Sequence, residues 1–142
     1  MAGGTGAVEC TVSFDPRVPC VVMVWRGYFT SRAFREANER VLEAVRSHGV
    51  RKLLGDIMEF TLIGAEDQRW LNEAWIPRLI EAGVRHVALV QPVFYFNQVA
   101  VQTVAQKVPS DHLEVRIFDG VPSARRWLWE VDAEGGGRPD AG

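Results

Sequence analysis

An α/β domain on a five-stranded, mostly parallel sheet, with an antiparallel first strand and helices mainly on one face, is the fold class the sequence predicts. Three observations predict it. Val8, Cys10, Val12 and Phe14 alternate with Glu9, Thr11, Ser13 and Asp15, the two-residue period of a strand with one wet face. The run Cys20-Val-Val-Met-Val-Trp25 is apolar throughout, as a strand covered on both sides requires. After it, segments with helical spacing of apolar residues alternate strictly with short apolar runs, so each new strand lies parallel to the last across a right-handed helical crossover.

The elements follow in order. A turn at Asp15-Pro16-Arg17 makes the first two strands a hairpin. Centred on Pro16 and Arg17, it sets Cys10 opposite Met23 and Cys20 opposite Ser13, which leaves two free thiols. Thr30 or Ser31 caps a helix running to about His48, with Phe34, Ala37, Val41, Ala44 and Val45 on its buried stripe and Gly49 as its stop. Glu36 and Arg40 stand one turn apart on its outer side. The strand Lys52–Ile57 comes next, then a helix from about Gly64 to Ala82 with Leu71, Ala74, Trp75, Leu79 and Ala82 inward. Pro77 lacks the N–H owed to the Glu73 carbonyl, which predicts a kink or break near Ile76. A strand over Val84–Val90 follows. A helix through Val101, Val104, Ala105 and Val108 is closed by Pro109, a strand covers Leu113–Phe118, and a last helix from Pro122 buries Ala124, Trp127, Leu128 and Val131. The resulting organisation is a disordered start over residues 1–7, one domain over 8–131, and a flexible glycine-rich tail over 132–142.

Composition narrows the function classes. The 142 residues are 47% hydrophobic and 24% charged, which suits one globular domain with a sizeable core. A net charge of −2, with the basic residues scattered, argues against nucleic-acid binding. No apolar run reaches the roughly 20 residues of a bilayer span, and the first residues do not read as a signal peptide, so a cytoplasmic location is expected. No GxGxxG or GxxxxGK[ST] turn occurs. His48, His86 and His112 lack metal-ligand spacing, and no serine sits in a GxSxG turn, so neither a metal, another cofactor nor a catalytic residue is expected.

The layout, with Gly49-Val-Arg-Lys-Leu-Leu-Gly-Asp56, Trp70-(x)4-Trp75-x-Pro77, Ala82-Gly83-Val84 and Arg126-Trp127-Leu128, resembles the STAS-type (SpoIIAA-like) domain family, and within it a stand-alone bacterial branch of unknown role. The resemblance covers about residues 8–131 and implies a regulatory module working through protein contacts. It also implies where a phosphorylated serine would fall, at the start of the second helix. Here that place is Gly64-Ala65, without a hydroxyl, and Thr61 is outside the motif. Glu66 and Asp67 follow in the first turn, where acidic residues suit the helix dipole.

Two functional readings result. The first is a non-enzymatic binding or regulatory module that contacts a protein partner or a second copy, with Trp25, Arg125, Arg126 and Trp129 as interface candidates. The second is a carrier of a small apolar or lipid-like ligand, or a minor enzyme, using an aromatic cleft. Phe60, Trp70, Trp75, Phe94, Tyr95 and Phe96 would line that cleft, near Asp56 and Glu59, which cluster with Asp119 at the carboxyl ends of the parallel strands.

Overall fold

The computed structural model describes residues 8–61 and 64–134. The expected loose start lies outside the described residues, as does the tail beyond 134. The strands are β1 (Glu9–Asp15), β2 (Cys20–Gly27), β3 (Lys52–Phe60), β4 (His86–Val90) and β5 (Glu114–Phe118). They form one sheet in chain order, β1 antiparallel to β2 and every later pair parallel. The helices are α1 (Ser31–His48), α2 (Ala65–Trp70), a π-helical turn (Leu71–Trp75), α3 (Ile76–Glu81), α4 (Tyr95–Gln106) and α5 (Val121–Glu134). No helix among the described residues is long and apolar enough to cross a membrane.

Alternation along the strands divides the core. Val21, Met23, Trp25, Leu53, Ile57, Val87 and Val115 face a layer made by α1, the α2–α3 run and α4. Cys20, Leu54, Ala88 and Val90 face the other way, where Ala124 and Leu128 of α5 cover them. The helices therefore lie mainly on one face, and α5 alone closes part of the reverse one. It also runs through Glu134, past the point where the tail was expected to begin.

Two local expectations are corrected and a third is made specific. The hairpin register pairs Cys10 with Trp25 and Asp15 with Cys20, two residues from the expected alignment. Pro19 has no N–H for the ladder and Val18 is buried, so the loop takes Pro16 to Pro19, with Arg17 N–H bonded to Asp15 Oδ1 at 3.0 Å. A shift of two keeps every side chain on its face. On α1, Glu36 pairs with Arg32 (3.2 Å), while Arg40 donates to the Cys10 carbonyl and pins the helix to β1. The third concerns Pro77: the kink or break expected near Ile76 takes the form of a widening into the π turn, where the Ile76 N–H reaches back to Leu71. The widening accommodates a residue that cannot donate to Glu73 and would crowd its carbonyl. It also shifts the helical phase, so that Trp75 and Ile76 are both buried.

The caps on α1 follow the sequence closely. Thr30 Oγ1 accepts from the Ala33 N–H at 3.2 Å. Gly49 takes the left-handed conformation (φ 62°) that ends the helix.

Candidate functional site

Between the sheet and the helical layer lies an apolar cavity of about 120 Å³. Met23, Leu53 and Ile57 form its floor, the π turn contributes Leu71 and Trp75, and α4 roofs it with Ala100, Val101, Val104 and Ala105. Gly55 shapes the floor. A Cβ there would stand 2.7 Å from Met23 Cε and 2.8 Å from Leu89 Cδ2, so only a glycine lets these two side chains close over the strand as they do. At one end, Trp25 packs against Phe29, Phe34 and Phe60 with ring centroids 5.0 to 5.5 Å apart. Two side-chain donors at the wall are engaged: Trp75 Nε1 donates to the Asn38 carbonyl (2.8 Å), and Asn38 Nδ2 donates to the Phe34 carbonyl (3.0 Å).

The roof is lightly held. Asn97 is the one buried residue of α4. Its Nδ2 donates to the Phe60 carbonyl at 3.1 Å, and Asn72 Nδ2 of the π turn donates to the Val104 carbonyl at 3.0 Å. Outside, the start of α4 carries an aromatic ridge. Val93, Phe94, Tyr95 and Phe96 are 60% to 75% exposed, and Val99 continues the line one turn on. From Val87 to Gln106 there is no Asp, Glu, Lys, Arg or His.

A bulge in β3 sorts the neighbouring residues. Val24 pairs with Asp56 but Arg26 with Glu59, so β3 holds one extra residue there. The Met58 N–H turns to Asp56 Oδ1 (3.3 Å), and the Met58 carbonyl accepts from Val93 N (3.3 Å). Beyond the bulge Phe60 faces the helices again, and Glu59 lies outside beside Arg26 at 3.7 Å.

The candidate ligand-binding residues therefore separate. Phe60 and Trp75 line the cavity. Trp70 lies outside it against Phe34, with the Arg35 guanidinium 5.2 Å above its ring. Phe94, the residue before α4, and Phe96, in its first turn, are exposed to solvent; α4 begins at Tyr95, ahead of the stretch from Val101 to Val108 expected for it. Asp56 and Glu59 are not at the cavity, and Asp119 is bound separately to Gln91 Nε2 at 2.6 Å. No three His, Cys, Asp or Glu side chains among the described residues come together as a metal site.

Of the interface candidates, Trp25 is 3% exposed and belongs to the core. Arg125 ties α5 to the hairpin turn through Asp15 (2.8 Å), and that hydrogen bond holds the Asp15 carboxyl below its ordinary value. Arg126 and Trp129 are exposed. Burial pushes the thiols of Cys10 and Cys20 up to about 11, which suppresses their thiolates.

Asn38, Asn72 and Asn97 were not singled out from sequence, and the pairing of Ser31 with Asp67 was not foreseen. Asn38 and Asn97 each occupy a position on an apolar helical stripe, between Phe34 and Val41 and ahead of Val101. A lone amide at such a position is the signal that would have found them. Asp67 is buried against Ser31 Oγ and Arg35 Nε, so it neither caps α2 nor offers free charge, whereas Glu66 is exposed. Gly64 precedes α2 with no side-chain cap.

This architecture defines the class: the chain has a SpoIIAA-like, STAS-type fold. It is similar to an uncharacterized protein of the DUF3478 family from Shewanella loihica with a SpoIIAA-like fold, at 16% identity and a TM-score of 0.58, over 90% of this chain and 98% of that one. It is also similar to an anti-sigma factor antagonist from Mycobacterium paratuberculosis, at 12% identity and a TM-score of 0.57, over 89% and 98% of the two chains. Neither a family model nor a curated protein sequence matches the chain.

Proposed function

We propose that the chain is a non-enzymatic binding module that works through protein–protein contact, and that its contact surface is the ridge Val93–Phe96 with Val99. A second copy of the chain is the occupant. The observation that carries this is the ridge itself: contiguous, strongly exposed aromatic and branched side chains inside a stretch without charge. Monomeric domains seldom leave such a patch open. Depletion of charge with enrichment in Tyr and Phe is the composition of an interface core. Membrane-surface helices instead carry Lys and Arg around their apolar face, and α4 has neither. At a two-fold axis each residue meets itself, so an uncharged patch avoids placing like charges together. The fold shared with an anti-sigma factor antagonist supports a role in protein contacts. The absence of a hydroxyl at Gly64-Ala65 means that any control of that contact is not the serine phosphorylation the family resemblance implies.

Mass measurement by light scattering across a wide concentration range tests the proposal, comparing the wild-type chain with Phe96→Glu. The wild type approaches dimer mass, and the variant stays monomeric with the melting temperature that the wild type shows when diluted to monomer. A wild type that remains monomeric, a dimer indifferent to the substitution, or a monomer that sediments with neutral phosphatidylcholine vesicles in a Phe96-dependent way would each overturn it.

A further inference from the structure

We infer that the cavity beneath α4 is a binding site for one small, neutral, apolar molecule, no larger than a six-membered ring with a short substituent. This goes beyond the proposed contact surface and does not depend on it. Size sets the upper limit. At about 120 Å³ the cavity is in the range of the roughly 150 Å³ engineered apolar cavity that admits benzene or xenon, and well below the roughly 300 Å³ at which pockets for larger organic ligands begin. An extended lipid chain is larger than this volume.

Chemistry sets the class. No charged side chain lines the cavity, and Asn38 is its one polar residue. A charged ligand would therefore lose its hydration without replacement. Water needs two to four hydrogen-bond partners to occupy such a space, and the Trp75 and Asn38 donors are already used within the protein. An apolar ring needs none and would gain dispersion contacts with Met23, Leu53, Trp75 and Val101. α4 forms the roof of the cavity, tied down by the Asn97 and Asn72 amide contacts and by the packing of Val101 on the core.

Benzene is the probe, added to the protein and followed by amide chemical shifts and melting temperature. Saturable shifts confined to β2, β3, the π turn and α4, with a rising melting temperature, are expected. Val101→Phe places a ring in the cavity and lowers benzene affinity by at least about tenfold. Gly55→Ala, which drives the flexible tips of Met23 and Leu89 into the same space, lowers it in the same direction and guards against a folding defect in the first variant. Phe96→Glu binds benzene as the wild type does, so failure of the contact surface and failure of the cavity are read separately. Non-saturating shifts, equal affinity in wild type and both cavity variants, or ordered water filling the cavity in a crystal under xenon pressure would overturn the inference.

Discussion

The hydroxyl of Ser31 donates a 2.6 Å hydrogen bond to Asp67 Oδ2, joining the first turn of α1 to the first turn of α2 across 36 residues of chain. Arg35 Nε holds the other oxygen at 3.0 Å, and the same guanidinium lies over Trp70. Asp67 is 5% exposed, so the partners of its carboxylate replace water. Asp67→Ala is expected to cost about 2 kcal/mol, and Ser31→Ala about 1 kcal/mol, because the second leaves Asp67 its arginine. Urea unfolding of both variants and the double variant checks this; additive losses would show that the two residues do not act together.

Leu128 fixes α5 to the reverse face of the sheet and is fully buried, whereas Trp129 beside it is 64% exposed. Leu128→Ala should destabilise by about 2 to 5 kcal/mol, the range for an emptied core site. Trp129→Ala should stay within about 0.5 kcal/mol. Equal losses in thermal unfolding would mean that α5 is not seated as described.

Acid should weaken the fold in a defined window. Hydrogen bonds from Arg125 and Arg78 hold Asp15 and Glu39 below their ordinary values of 3.8 and 4.5. A carboxyl with a lowered folded pKa contributes its full stability above the unfolded value and loses it as pH falls through the folded one. Stability is therefore expected to be level with respect to these two groups above about pH 5 and to decline below about pH 4. Glu39 and Arg78 form a two-pronged pair (2.6 and 2.8 Å), but both are more than a third exposed, so solvent screening keeps its worth under about 1 kcal/mol. Glu39→Gln should flatten the acid limb of a stability–pH curve slightly, and a steeper limb would contradict the pairing.

Both thiols should be sluggish. With Cys10 and Cys20 pushed up to about 11 by burial, the thiolate fraction at pH 8 is about a hundredfold below that of a thiol at its ordinary 9.0. Alkylation by iodoacetamide is expected to be slow in the native protein and fast for both cysteines in denaturant. Rapid native labelling of Cys20 would show that the hairpin loop opens.

What the chain decided by itself is the frame: five strands along the chain, an antiparallel first strand, a hydroxyl cap at Thr30 or Ser31 and a stop at Gly49 for α1, and disruption of the second helical run by Pro77. These are legible because strand alternation, helical spacing, caps and proline geometry act within a few residues. Tertiary structure decided the site. Whether Phe94 faces a cleft or water, whether Trp25 is surface or core, and where Glu59 points depend on which face a strand shows after a bulge and on where α4 begins. Each of these is settled by packing between segments tens of residues apart. The cavity belongs to the same class, because a void is a shortfall of volume among Gly55, the widened turn before Pro77 and the small residues of α4, and no local pattern records how three separate elements fail to meet.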